Sequence, residues 1–363
     1  SALGTIASGA SGQSLRRVSS NLELTKDVYE SNEIRADYQV SDMRHGFKRV
    51  GGNISGELSA GTYSDLIASF LRKNMTAVTA VSGASITIAG SGPTYTVTRA
   101  AGSWLTDGFK LGHVFRLSVG SLNAANINKN LLITGLTATI ATVIPLNGVA
   151  LVAEGPIATT TATVFGKQSY CPASAHTSDY YTFEHYYPNM SAVNSESFWD
   201  CVINEMTVNL PPTGLATIDF GILGLNLTTA TSQALTSPTA ATSSGVQAAV
   251  NGVLRSSSGA LANITGIRIN GTNGCEIAGP VVGSNVGVDV VKGRHRISGE
   301  LTAFFDSVTL RDYFINETEV GLYVALTADS TATAGFLAFS LDRIKLGGAT
   351  RSDGEGIKTV TLP

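Results

Sequence analysis

The 363-residue chain carries 24 Lys and Arg against 27 Asp and Glu, a net charge of −3, and only 14% of its residues are charged, against about 25% in an ordinary soluble domain. This balance excludes a broadly basic protein that grips nucleic acid by neutralising phosphates, and no apolar run reaches the roughly 18–20 residues of a membrane helix. Gly, Ser, Thr, Ala and Asn stand in place of the missing charge, which points to surfaces covered by other copies of the chain.

Residues 1–18 open with SALGTIASGASGQSLRR, which lacks the basic start and apolar core of a secretory signal and reads as a flexible arm. An alternating strand is expected at Asn21–Leu24. The segment Asp27–Gly52 then gathers much of the chain's charge, including Glu30, Glu33, Arg35, Asp37, Asp42, Arg44, Lys48 and Arg49. Such concentration in a charge-poor chain suggests a protruding loop with oriented partners, or else a solvated hairpin. The next stretch, ISGELSA (Ile54–Ala60), alternates as a strand, with Ile54, Gly56 and Leu58 on one face and Ser55, Glu57 and Ser59 on the other. TYSDLIASFLRKN follows as a helix whose stripe is Tyr63, Leu66, Ile67, Phe70 and Leu71.

Residues 76–170 hold short runs of Val, Ile and Thr between turn residues, the pattern of a small antiparallel barrel or sandwich inserted into the first unit. Trp104 and Phe109 are expected in its core. Further strands are expected at Tyr180–Tyr187 and in FWDCVINEMTVNL, and residues 230–246 read as a Ser/Thr/Ala-rich linker. Then the pattern repeats. Ile297–Ala303 (ISGELTA) matches Ile54–Ala60 at six of seven positions. A second helix stripe follows (Val308, Leu310, Tyr313, Phe314, with Asp306 as N-cap), and GLYVALT and GFLAFSLDRIKLG take the places of the two later strands. Gene duplication gives a mainly β chain with this division: arm 1–18, first module 19–75 and 171–229, insert 76–170, linker 230–246, second module 247–363. Each module is expected to be a β-sandwich or barrel with one flanking helix.

Catalytic chemistry is not indicated. No nucleophile elbow, P-loop, HExxH or dinucleotide-binding glycine motif occurs. The five histidines lack a second ligand at i+2 or i+4, and Cys171, Cys201 and Cys275 fit neither a zinc knuckle nor a disulfide framework, so reduced thiols are expected. The acidic cluster around Glu30 is interleaved with basic residues, unlike the paired carboxylates of a glycosidase. No enzyme, cofactor or metal site is expected.

The segment Glu30 to Gly46 resembles "ESxEIRxDxQVxDxRxG", and Gly52 to Leu66 resembles "GxIxxELSxGTYxDL", patterns of the major tail tube proteins of long-tailed (siphovirus-like) bacteriophages. The closing GRHRISGELTAFF…FINETEVGLYVAL…GFLAFSLDRIKL is similar to that family's last part, and GSWLTDGFKLGHVFRLSVG is similar to small β modules carried by phage tail proteins. The resemblance implies β-sandwich units with one helix, six around a channel, with rings stacked into a tube through which double-stranded DNA passes. It implies a virion tail location after assembly in the host bacterial cytoplasm, and contacts with other tail proteins at the tube ends. It maps a ring-to-ring loop onto Glu30–Val50 and a terminal arm onto Ser1–Arg17.

If six units close a ring and each chain supplies two, three chains suffice, giving a pseudo-sixfold trimer; six chains per ring is the alternative. The second module's loop, Cys275–Gly293, is nearly uncharged, so polar contacts are expected of the first loop and apolar ones of the second. Glu57 and Glu300 point away from their cores. They line the lumen, where carboxylates would keep DNA from sticking, or they pair with a base such as Arg294 or Arg296 at an interface. A capsid decoration or other shell protein is the competing reading, with a sugar-binding surface adhesin behind it.

Overall fold

The computed structural model describes residues 1–10, 12–190, 192, 194–249, 252–256, 259–260, 264–305, 309–352 and 358–363. The expected N-cap Asp306 and stripe residue Val308 lie outside them. The protein is mainly β, built on one long antiparallel ladder. Its strands run in the order Ser19–Ser20, Met43–Glu57, Thr217–Gly224, Asn194–Leu210, Ile264–Thr272, Arg296–Phe304, Thr359–Leu362 and Thr350–Arg351. The two copies of the repeated heptapeptide therefore sit in one continuous sheet. They are joined where Leu210 pairs with Ile267 and Glu205 with Thr272.

Alternation sorts the two faces. Ile54, Met206, Val208, Ile218, Phe220, Ile267, Ile269, Leu301 and Val360 all point inward and are buried in one cluster. That cluster is closed in the first module by helix α1 (Ser64–Phe70), whose Leu66, Ile67 and Phe70 are buried as the stripe predicts. Gly56 supplies a notch. A Cβ there would lie 1.8 Å from the hydroxyl oxygen of Tyr63, which donates to the Arg16 carbonyl at 2.8 Å. The second helix, α2 (Thr309–Ile315), departs from expectation. None of its residues is fully buried: Leu310 packs partly buried against the same cluster, as its stripe predicts, but Phe314 and Ile315 are 38% and 61% exposed.

Two further sheets complete the sandwiches. Asn194–Leu210 carries a register shift at Ile203/Glu205 and a positive φ at Asp200. A bulge of this kind bends a strand, and its first half leaves the main ladder to pair with Tyr181–Tyr187 and Asn226–Ala230. In the second module, Gly252–Ser256, Val320–Thr327 and Phe336–Ile344 form the corresponding sheet. Every residue of Val320–Thr327 is buried: Leu322, Val324 and Leu326 face the main sheet, and Tyr323 and Ala325 face the other way.

What covers Tyr323 is the inserted segment. Six strands between Val81 and Val164 close into a barrel in the order Val81–Gly90, Tyr95–Arg99, Ile140–Pro145, Leu131–Leu136, Val114–Ser118, Glu154–Val164. Trp104, Phe109 and Phe115 fill it, with ring centroids 4.8–5.9 Å apart. Although it interrupts the first module, the barrel docks on the second, through Val114, Leu132 and Leu146. Asn130 Nδ2 donates to the Ala334 carbonyl (2.9 Å) and Arg116 to that of Thr333 (3.0 Å).

The arm is not loose. Ser1 donates to the Tyr180 carbonyl at 2.7 Å, Gly4 N to both oxygens of Asp200 at 2.9 and 3.0 Å, and Ala7 N to Thr182. Gly9 and Ser14 bond residues 234 and 239 of the linker. Glycine- and serine-rich composition suggested flexibility, but these small residues let the backbone lie close and satisfy buried groups such as the Asp200 carboxylate. Burial pushes the Asp200 pKa up despite the Gly4 amide that both its oxygens share.

Candidate assembly surfaces

The uncovered face of the main sheet is polar. Register places Glu57, Thr217, Asn209, Arg268 and Glu300 in one row across five strands. The next row is Ser55, Asp219, Thr207, Asn270 and Ser298, and a third is Asn53, Gly221, Glu205, Thr272 and Arg296. The two expected lumen carboxylates thus share a row, about 19 Å apart at four strand spacings. Both are exposed, and Arg268 is the cross-strand partner of Glu300. Arg268 Nε donates to Asn270 Oδ1 at 3.1 Å, as does the Thr207 hydroxyl. The three rows hold four carboxylates (Glu57, Glu205, Asp219, Glu300) against two guanidinium groups, Arg268 and Arg296. Sequence reading missed Glu205, Asp219 and Arg268, although NEMTVNL and TIDFGIL alternate cleanly enough to have revealed them.

The expected loop Glu30–Val50 is instead the upper part of a hairpin. Glu23–Glu30 pairs with Met43–Gly51, and only the tip between residues 30 and 43 lacks strand structure. Thr25, Val28 and Tyr29 in the first arm and Phe47 and Val50 in the second are strand-favouring residues that carry the ladder past the charges. Glu30 ends the first arm, Glu33, Arg35, Asp37 and Asp42 lie on the tip, and Arg44, Lys48 and Arg49 lie on the second arm. Much of the charge is paired within the hairpin: Arg35 with Asp37 (3.2 Å), Arg44 with Asp42 (2.9 Å) and Arg49 with Asp27. The Arg35 guanidinium holds the Asp37 carboxyl below the usual range. Glu30, Glu33 and Lys48 form no ion pair among the described residues.

What the tip does present is apolar. Ile34 is 99% exposed, Tyr38 98% and Val40 61%. Beside it stands a shorter hairpin, Glu276–Ile277 with Val290–Val291, whose Val281 and Val282 are also exposed. The two hairpins touch where Lys48 N donates to the Asn285 carbonyl at 2.8 Å. The contrast expected between a polar and an apolar loop is therefore reduced to one of flanks. Replacing Ile34 and Tyr38 together by serine should leave the chain folded, since exposed changes cost within about 0.5 kcal/mol. The same variant should shorten any end-to-end assembly seen by negative-stain microscopy, whereas Arg35→Ala with Asp37→Ala should not; equal assembly by the serine variant and wild type would contradict a docking role for the tip.

The protein thus has a polar sheet face, apolar hairpin tips and a barrel on the opposite side. A family model described as "Phage tail tube protein" matches residues 1–363. The chain belongs to the phage tail tube protein family. No curated protein sequence matches it. Membership makes this a β-rich structural protein of the virion tail that associates with itself and with other tail proteins. Among the described residues no group of three or more His, Cys, Asp or Glu could hold a metal, and no helix is long and apolar enough to cross a membrane.

Proposed function

We propose that three copies of this chain close into a ring, that rings stack into a tube, and that the polar sheet face lines a channel for double-stranded DNA. The observation that carries the reading is the in-chain junction between Asn194–Leu210 and Ile264–Thr272, which already joins two equivalent half-sheets by backbone hydrogen bonds. The main sheet ends in two strands with one partner strand each among the described residues, Ser19–Ser20 and Thr350–Arg351. Edges of this kind invite pairing with another chain. A heterologous contact repeated around an axis closes when the rotation permits. In this reading 19–75 with 171–229 forms the first tail-tube module and 247–363 the second. The barrel of 76–170 lies outside, since two sheets separate it from the polar face.

Glu57 and Glu300, with Glu205 and Asp219, then face the lumen and repel phosphate. The hairpin tips bearing Glu30 to Arg49 reach the neighbouring ring. Assembly belongs to the host cytoplasm and the finished tube to the virion. Glu57→Lys with Glu300→Lys turns the three rows from a net two negative charges to a net two positive. Tubes of that variant should retain linear DNA in sedimentation at low salt and release it as salt rises, while wild-type tubes retain none. Variant tubes that pass or exclude DNA as wild type does would refute the lumen assignment.

A further inference from the structure

Helices α1 and α2 end alike. After Phe70, Arg72 has φ +57°, and the amides of Arg72 and Lys73 donate to the carbonyls of Ser69 and Ala68 at 3.0 and 3.1 Å. After Ile315, Glu317 has φ +50°, and the amides of Glu317 and Thr318 donate to those of Phe314 and Tyr313 at 3.2 and 2.9 Å. Phe70 and Arg72 thus correspond to Ile315 and Glu317. Their surroundings do not correspond. Phe70 is fully buried and Arg72 is 6% exposed, because the strand Ile264–Thr272 and the residue after it run across them. The Phe70 ring fills the notch at Gly271, where a Cβ would lie 2.3 Å from it. Arg72 donates to Asn273 and to the Gly293 carbonyl (2.7 Å). Ile315, by contrast, is 61% exposed and the Glu317 side chain 83%, with Lys345 at 3.9 Å its one ion-pair partner among the described residues.

The receiving strand also has a counterpart. Gly271 pairs with Ile297, and in the first module the residue paired with the matching Ile54 is Ser20. The Ser20 hydroxyl lies 2.9 Å from His185 Nε2. Val18 is 67% exposed, and Arg17 is exposed with no ion pair among the described residues. Burial first, and the Arg17 charge second, depress the His185 pKa.

We propose that the Ile315–Glu317 corner of one copy docks on the Arg17–Ser20 edge of the next copy, beside His185, repeating between chains the contact that Phe70 and Arg72 make within one. The side chains are exchanged in step. A large ring against glycine becomes a smaller isoleucine against serine, and the change from Arg72 to Glu317 is met by the cation Arg17. This rests on the ring reading above and supplies its interface.

The test is a cysteine pair, Ile315→Cys with Ser20→Cys in a Cys171→Ser background, since Cys201 and Cys275 are buried. Oxidised tubes should give covalent dimers and trimers on non-reducing gels, and either single cysteine alone should leave monomers. Glu317→Arg should abolish tubes, and adding Arg17→Glu should restore them. Tubes of the double-cysteine variant that yield no cross-link, or normal tubes from Glu317→Arg alone, overturn the docking site and leave the ring standing. Cross-linked ladders running past three keep the docking site and overturn the three-chain ring. If the cysteine pair blocks assembly, the charge-swap pair decides.

Discussion

Replacing Asn273 by alanine should cost the chain about 3–5 kcal/mol and loosen the joint between its halves, because several buried groups lose their partner at about 1–3 kcal/mol each. Asn273 is fully buried at the end of the Ile264–Thr272 strand. Its Nδ2 donates to the Phe70 and Ile203 carbonyls at 3.0 and 3.1 Å, both in the first module. Its Oδ1 accepts from Arg72 Nε at 3.0 Å and lies 2.9 Å from His295 Nδ1. The His295 ring in turn packs 5.0 Å from Phe70. Alanine would strand two carbonyls and remove one anchor of a buried guanidinium. Asn273→Asp keeps the acceptor side and gives Arg72 a counter-charge, but it sets a carboxylate oxygen against the Phe70 and Ile203 carbonyls, so its loss should be at least as large. Urea unfolding of the three proteins checks the order. A loss below about 1 kcal/mol for alanine would mean that the joint is held by the strand pairing alone.

Trp104→Ala should have an effect of similar size with a different reach. Large aromatic truncations in cores cost about 3–5 kcal/mol. Trp104 is fully buried, stacks near Phe109 and Phe115, lies under the Arg99 guanidinium at 4.7 Å and donates to the Thr139 carbonyl at 3.1 Å. The barrel's core is separate from that of the sandwiches, so the loss falls on one unit. Limited proteolysis should cut the variant within residues 76–170 while the strands around Ile54 and Phe220 stay protected. If the whole chain opens together instead, the barrel and the second module's outer sheet form one cooperative unit. Tyr323 and Ala325 would then transmit the loss.

Features carried by short periods were legible from residues alone: the β-rich class, the α1 stripe, the outward glutamates of the repeated heptapeptide and the aromatic centre of the insert. Each depends on neighbours within a few positions, where alternation or helical spacing decides the outcome. Features set by distant pairing were not legible. Nothing in Ser1–Gly9 announces that its amides would meet Asp200 and Thr182. Nothing in the insert announces that it would lie on the other module. The charged segment misled in a specific way. Its acids and bases alternate closely enough to neutralise one another along a hairpin, which leaves the apolar Ile34 and Tyr38 between them as the groups it presents. A helical stripe is buried only where something covers it: on α2, Leu310 packs against the core cluster while Phe314 stays 38% exposed.

The number of chains that close a ring is the decisive quantity. Cryo-electron microscopy of tubes assembled from the purified protein, reconstructed without imposed symmetry, counts them. Three outer barrels per ring on a wall of six sandwiches, with the polar rows facing the channel, is the predicted result. Six barrels per ring, or the polar rows facing outward, would contradict it.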